Sequence, residues 1–222
     1  MATNEPVTEA PDAAEAVIRD RRSVHQYAEE DVDEETLREV FDLVRFTPSS
    51  FNLQPWEFLV LTDDENRQAL REVANDQESV TDAPVAVVVL GNTDPAAHAD
   101  RVFQDWLDKE YIPDEETRDN LQGLVEGMRE RSDEENRVWT TRSTSLAAMT
   151  LMHAARAKGL STCPMEGFDA EGVRETFDVD EQFEPVMLVT MGYPEDDADD
   201  RENERKFRRP VDEIVHFDAF DA

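Results

Sequence analysis

Pro48-Ser49-Ser50-Phe51-Asn52-Leu53-Gln54-Pro55-Trp56 runs directly into the apolar stretch 57–61. Two prolines bracket two hydroxyls and two amides. Proline fixes φ and donates no N–H, so the turn can hold Ser49, Ser50, Asn52 and Gln54 in set directions between a helix and a strand. On its own this is either an ordinary polar connection or a loop built to hydrogen-bond a ligand.

Working outward, Leu37, Val40, Phe41 and Val44 recur at helical spacing and predict a helix over 34–46, preceded by one that Pro11-Asp12 opens and that runs to about Arg21. Residues 57–61 predict a strand. Thr62 with Glu65 predicts a capping box that starts a helix to about Ala74. The stretches 85–90 and 186–191 are apolar throughout, as expected of central strands covered on both faces. Ser132 with Glu135 predicts a second capping box, opening a helix to Lys158 with Gly159 as its C′ residue. From Leu146 to Ala157 that helix is apolar nearly all round, which makes it the expected core helix. Asp169 is placed to cap a helix to about Phe177.

The elements predict an α+β fold in which helices cover a central β-sheet on both faces. No repeat or low-complexity linker divides the chain, so 1–222 is expected to form a single domain. The segment 96–131 reads as one or two charged helices broken near Pro113, with Phe103, Trp106, Leu107, Tyr111, Leu121 and Leu124 as their apolar side.

The net charge of −32 arises from 54 acidic residues scattered through the chain, and the only lysines are Lys109, Lys158 and Lys206. This composition is that of halophilic proteins, in which salt screens the self-repulsion of the surface. It excludes nucleic acid as a partner, since phosphate backbones require a basic footprint, and the scatter argues against an acidic mimic of DNA. Residues 1–11 contain neither a basic n-region nor an apolar h-region, and no apolar run reaches the length of a membrane span. A cytoplasmic location without membrane partners is expected. Cys163 is the only cysteine, which rules out an intramolecular disulfide and a thiolate metal cluster; it is expected to pack as a small hydrophobe. No metal is expected, and the acidic run 196–204 reads as a solvated loop.

Three segments carry a resemblance: Arg21-Arg22-Ser23-Val24-His25, the Pro48 loop, and Gly159-Leu160-Ser161-Thr162-Cys163-Pro164-Met165-Glu166-Gly167-Phe168-Asp169. In this order and at these separations they resemble the nitroreductase family of FMN-dependent oxidoreductases, which typically show an RRSxR start, a PSxxNxQPW loop and a GLxxxPxEGFD turn. Arg205-Lys206-Phe207-Arg208-Arg209-Pro210 ends the match. The resemblance runs from about Ala14 to Phe217 and weakens between Asn92 and Arg137.

The resemblance implies an interwoven homodimer with FMN at the subunit interface and NAD(P)H as electron donor. Arg21 and Ser23 would contact the FMN ribityl phosphate and ring, and Lys206 and Arg208 the phosphate, with Arg22 and Arg209 beside them. In a chain this acidic a phosphate dianion needs a local reversal of charge, and these clusters supply one. Pro48, Ser49, Ser50, Asn52 and Gln54 would reach the neighbouring subunit's flavin. Glu166 and Gly167 resemble the turn whose backbone N–H faces flavin N5, where a bare glycine backbone can approach the ring. No side chain is assigned a catalytic role. His25 stands where the family usually has Arg or Lys, so the cation beside the pyrimidine edge of the flavin is titratable here. His153, in the core helix, is expected to be a hydrogen-bonded core histidine.

The implied activity is ping-pong hydride transfer from NAD(P)H to a small flat acceptor such as a nitroaromatic or a quinone. Relatives that dehalogenate or fragment flavins use the middle segment as a substrate lid, and 96–131 is long enough for one. A flavin-binding or redox-sensing module without turnover is the alternative from outside enzymology.

Overall fold

Val85, Val87 and Val89 lie buried in one apolar cluster, and Ala86, Val88 and Leu90 in another. This is the period-two alternation of an extended chain with protein on both sides. It makes β2 (Val85–Asn92) the centre of two cores. The computed structural model describes residues 11–195 and 204–220. Among them β1 (Trp56–Leu61), β2, β3 (Ser161–Met165) and β4 (Phe183–Gly192) form one sheet in the order β1-β2-β4-β3, every neighbouring pair antiparallel.

The first core lies between the sheet and the helices α2 (Glu34–Val44) and α7 (Asp133–Ala157); Val40 and Val44 meet Ala147, Leu151 and Ala155 there. The second is closed by α3 (Asp64–Val73), α4 (Ser79–Asp82) and α8 (Ala170–Phe177) through Leu70, Val80 and Val173. A third cluster joins α5 (Ala99–Asp108), α6 (Glu115–Glu126) and α7, with Phe103 and Trp139 at its centre. The remaining helix, α1 (Pro11–Asp20), precedes the Arg21 segment.

The helix ends follow local chemistry. Ser132 and Glu135 form the expected capping box. Gly159 adopts φ +83°, and Leu160 N–H reaches back to Ala155 O at 2.9 Å, a Schellman ending for α7. Asp169 accepts from Glu171 N–H, as its position predicts.

Four expectations are corrected. The cap of α3 is Asp63, whose carboxylate accepts from Glu65 N–H, and not Thr62; an ionised carboxylate is the better partner for a helix N-terminus. Ser161–Met165 is an edge strand where the sequence read only as a turn, because Pro164 and the small polar residues hide its extended character. Tyr111 and Leu124 are exposed and so do not belong to the apolar side of 96–131. His153 is partly buried, and its Nε2 has no hydrogen-bond partner among the described residues.

Residues 1–10 and all of the acidic run except Glu204 lie outside the described residues. Among the described residues no helix is long and apolar enough to cross a membrane.

Candidate ligand site

Arg21 follows the last turn of α1, beside a cavity of about 180 Å³ that is also lined by Arg22, Arg156, Ser161 and Thr162. Its Nη1 is buried and finds no acceptor among the described residues. Burial lowers the Arg21 pKa from its ordinary value, and the positive charge of Arg208 lowers it further; Arg22 and Arg205 add to that effect and Cys163 opposes it. Arg21, Arg22 and Arg156 share this lining with Asp20 and Glu195, so the cavity carries three cations against two carboxylates in a chain of −32. The same positive field reaches His153, whose pKa is held below the ordinary range by burial first and by Arg21 second.

Other members of the expected set hydrogen-bond within the chain. Arg22 Nη1 donates to the carbonyls of Arg19 and Arg21, at 2.7 and 3.0 Å. Arg208 Nη1 donates to the carbonyls of Lys206 and Phe207. Arg209 pairs with Glu213 at 3.5 Å in an exposed contact. Lys206 is exposed.

The segment after Arg21 is zipped onto the edge strand. Ser23 bridges to Thr162, Val24 N–H donates to Thr162 O at 3.2 Å, and His25 Nε2 lies 3.3 Å from Cys163 Sγ. Ser23 and His25 remain exposed, so both can reach a ligand lying along β3. Cys163 is buried as expected, and the histidine beside it is a neighbour that sequence alone did not reveal.

Glu166 and Gly167 follow β3 and are exposed. Gly167 O accepts from Gln77 Nε2 at 2.8 Å, and a Cβ at Gly167 would meet Asn75 Nδ2 at 3.4 Å, an ordinary contact. Nothing within the chain therefore demands glycine at 167. Asn75 and Asp76 sit at φ +53° and +55°, the left-handed region that non-glycine residues seldom enter. Sequence reading missed Asn75 and Gln77; the Asn-Asp pair just after a helix was the available signal.

The Pro48 loop is held by its apolar members. Leu53 is fully buried against α5, and the ring of Phe51 meets Phe103 edge-on at 6.4 Å. Phe51, Asn52 and Gln54 all have positive φ, at 51°, 57° and 48°. Three such residues in four positions constitute local strain that the surrounding structure must sustain. Ser49 Oγ accepts from Gln54 N–H at 2.9 Å, and Gln54 Nε2 donates to Asn52 O at 3.0 Å. Ser50 and Asn52 stand exposed at the tip, Pro48 is exposed beside them, and Ser49 and Gln54 are half-buried.

The sheet register separates this loop from the Arg21 cluster. Trp56 stands opposite Gly91, and Gly91 opposite Glu184, whereas Ser161 stands opposite Gly192. Eight residues of β4 and three strand spacings place the loop's anchor and the cationic cluster roughly 30 Å apart, at opposite corners of one sheet. Arg21, Ser23, His25, Glu166, Gly167 and Arg208 lie on the β3 side; Pro48, Ser49, Ser50, Asn52 and Gln54 lie on the β1 side.

Comparison with known proteins bears on the family and the fold. MhqN of Bacillus subtilis is 31% identical over 202 residues, covering 90% of this chain and 97% of that protein. An NADH dehydrogenase of Thermus thermophilus is 30% identical, covering 92% and 95%. The crystal structure of Bacillus subtilis YdfN superposes with a TM-score of 0.85 at 29% identity, over 93% of this chain and 99% of that one. An Exiguobacterium sibiricum protein solved in complex with FMN shares the fold, with a TM-score of 0.80 at 24% identity over 91% and 96%. The sequence profile of the nitroreductase family matches residues 18–193, from the end of α1 to the end of β4, and the chain belongs to that family.

Proposed function

We propose that the chain is an FMN-dependent oxidoreductase that passes hydride from NAD(P)H to a flat acceptor such as a quinone or nitroaromatic. The observation that carries the reading is the buried, acceptor-less Nη1 of Arg21 amid the charges of Arg22, Arg205 and Arg208. A ribityl phosphate fits that group: it is a dianion, it accepts several N–H bonds at once, and guanidinium forks match its geometry. The NADH dehydrogenase relative and the FMN-bound structural neighbour support the same reading.

Arg21, Arg208 and Lys206 would hold the phosphate, Ser23 and His25 the ring and ribityl chain, with Arg22 beside them. The N–H of Gly167 would face the ring where Glu166 and Gly167 leave space. Bound FMN would supply the hydride chemistry at N5 in two alternating half-reactions. His25 would stand beside the reduced ring, with Cys163 Sγ 3.3 Å from its Nε2.

Because one chain keeps its Pro48 loop at the far corner of the sheet, we take the loop to serve a second copy. Val138, Leu146 and Met149 of α7 and Leu43 of α2 are exposed apolar residues, as are Phe46, just beyond α2, and Phe207, Phe217 and Phe220 of the C-terminal segment. Burying such surface is what drives obligate dimers. A homodimer with two FMN sites at its interface satisfies both observations.

The test is a titration of flavin-free protein in high salt with FMN, followed by NAD(P)H oxidation with a quinone. Tight binding and steady turnover are expected. Binding without turnover would leave a flavin-binding module, and absence of binding would remove the reading altogether. Lys206→Ala with Arg208→Ala should weaken FMN binding by roughly 1.5–3 kcal/mol for each charge-assisted bond lost.

A further inference from the structure

A groove of about 750 Å³ runs between the Pro48 loop and α5. Asn52 and Gln54 form one wall; Arg45, Arg101 and Lys109 supply its cations, with His98 beside them, and Asp105 is the one acid in its lining. In a chain with 54 acidic residues against 22 basic ones, this is a local reversal of sign. Lys109 is tied to Asp105 at 2.7 Å and Arg45 to Asp42 at 2.8 Å. Arg101 is exposed and makes no ion pair among the described residues.

We infer that this groove binds the phosphates of the reduced pyridine nucleotide. The inference rests on the flavin reading above. If the loop lies against a flavin, the nicotinamide must stack on that flavin, and the rest of the dinucleotide must leave along the loop. The groove begins at the same loop residues, Asn52 and Gln54. A dinucleotide is polyanionic and is repelled by the field of the whole chain, so its binding requires cations placed where its phosphates come to rest. Arg101 is the fork available for bidentate contact, with Lys109 as a second, more flexible charge. A flat acceptor carrying a carboxylate would seek the same cations, and the experiment must separate the two.

The variant is Arg101→Gln combined with Lys109→Gln, in FMN-loaded protein. Initial rates are measured with NADH, with NADPH, and with the uncharged donor 1-benzyl-1,4-dihydronicotinamide, each against a neutral quinone; ADP binding to flavin-free protein is measured by calorimetry. The expected result is a KM for both nucleotides raised about tenfold, the effect of one lost charge-assisted contact. ADP should bind correspondingly more weakly, while the KM for the uncharged donor moves less than twofold. An unchanged nucleotide KM overturns the inference, and so does an equal rise for charged and uncharged donors. A rise confined to a carboxylated acceptor, 2,4-dinitrobenzoate against dinitrobenzene, assigns the groove to the acceptor and also overturns it. In each of those cases the wild-type protein still oxidises its donors. A wild-type, FMN-loaded protein that oxidises none of the three donors refutes the oxidoreductase reading instead.

Discussion

Cys163 Sγ lies 3.3 Å from His25 Nε2, so the chain's only thiol is in contact with an imidazole from the segment after α1. With Cys163 only 3% exposed, iodoacetamide should fail to alkylate the native protein over the time in which it modifies the urea-unfolded chain completely. Cys163→Ala should lower stability by about 1 kcal/mol in urea titrations, from the small void left behind. Rapid alkylation of native protein would contradict the packing.

Glu184 is held by two arginines, Arg174 at 2.6 Å and Arg137 at 3.1 Å, and is 17% exposed. Arg174 is slightly more buried, at 13% exposed, and also donates to Phe183 O at 3.2 Å. Removing the carboxylate leaves the Arg174 guanidinium with Glu171, at 3.1 Å, as its remaining acid among the described residues, so Glu184→Ala should cost about 2 kcal/mol. Glu34→Ala, which removes an exposed partner of Arg38, should cost no more than about 0.5 kcal/mol. Equal effects in urea denaturation would mean that burial of the Glu184 cluster contributes nothing.

Burial and the charge of Arg21 depress the His153 pKa, so the folded chain binds fewer protons at this position than the unfolded chain does. Its contribution to stability is complete above the unfolded value of about 6.5 and is lost as pH falls from there to the lower folded value. Relative to His153→Gln, the wild type should therefore lose stability as pH drops below about 6.5. Urea midpoints of both proteins across that window are the measurement, and a constant gap between them would count against the assignment.

The dispersed acidic surface predicts a rise in melting temperature as salt climbs from tens of millimolar to molar, because self-repulsion at a charge of −32 is screened. A flat or falling curve would contradict this.

The fold was largely legible because its signals are local. The unbroken apolar run of β2 announced a doubly covered strand, and the Ser132–Glu135 box fixed the start of α7. Edge strand β3 was not legible, since its proline and polar residues pair on one side only and lack an apolar period. Within the candidate site, the motif segments fell on two sheet corners, and the register of strands distant in sequence decides which residues share a corner. The contact of His25 with Cys163 and the place of Asn75 and Gln77 beside Gly167 are tertiary facts with no counterpart in local spacing.

The central claim is that a site is completed by two copies of the chain, with the Pro48 loop of one serving the Arg21 corner of the other. A mixed dimer tests it, pairing one subunit carrying Asn52→Ala with one carrying Lys206→Ala and Arg208→Ala. If the loop acts across the interface, both defects fall in one site, and flavin titration should find one tightly bound FMN per dimer. Two equally weakened sites, with no tight equivalent, would contradict the shared site.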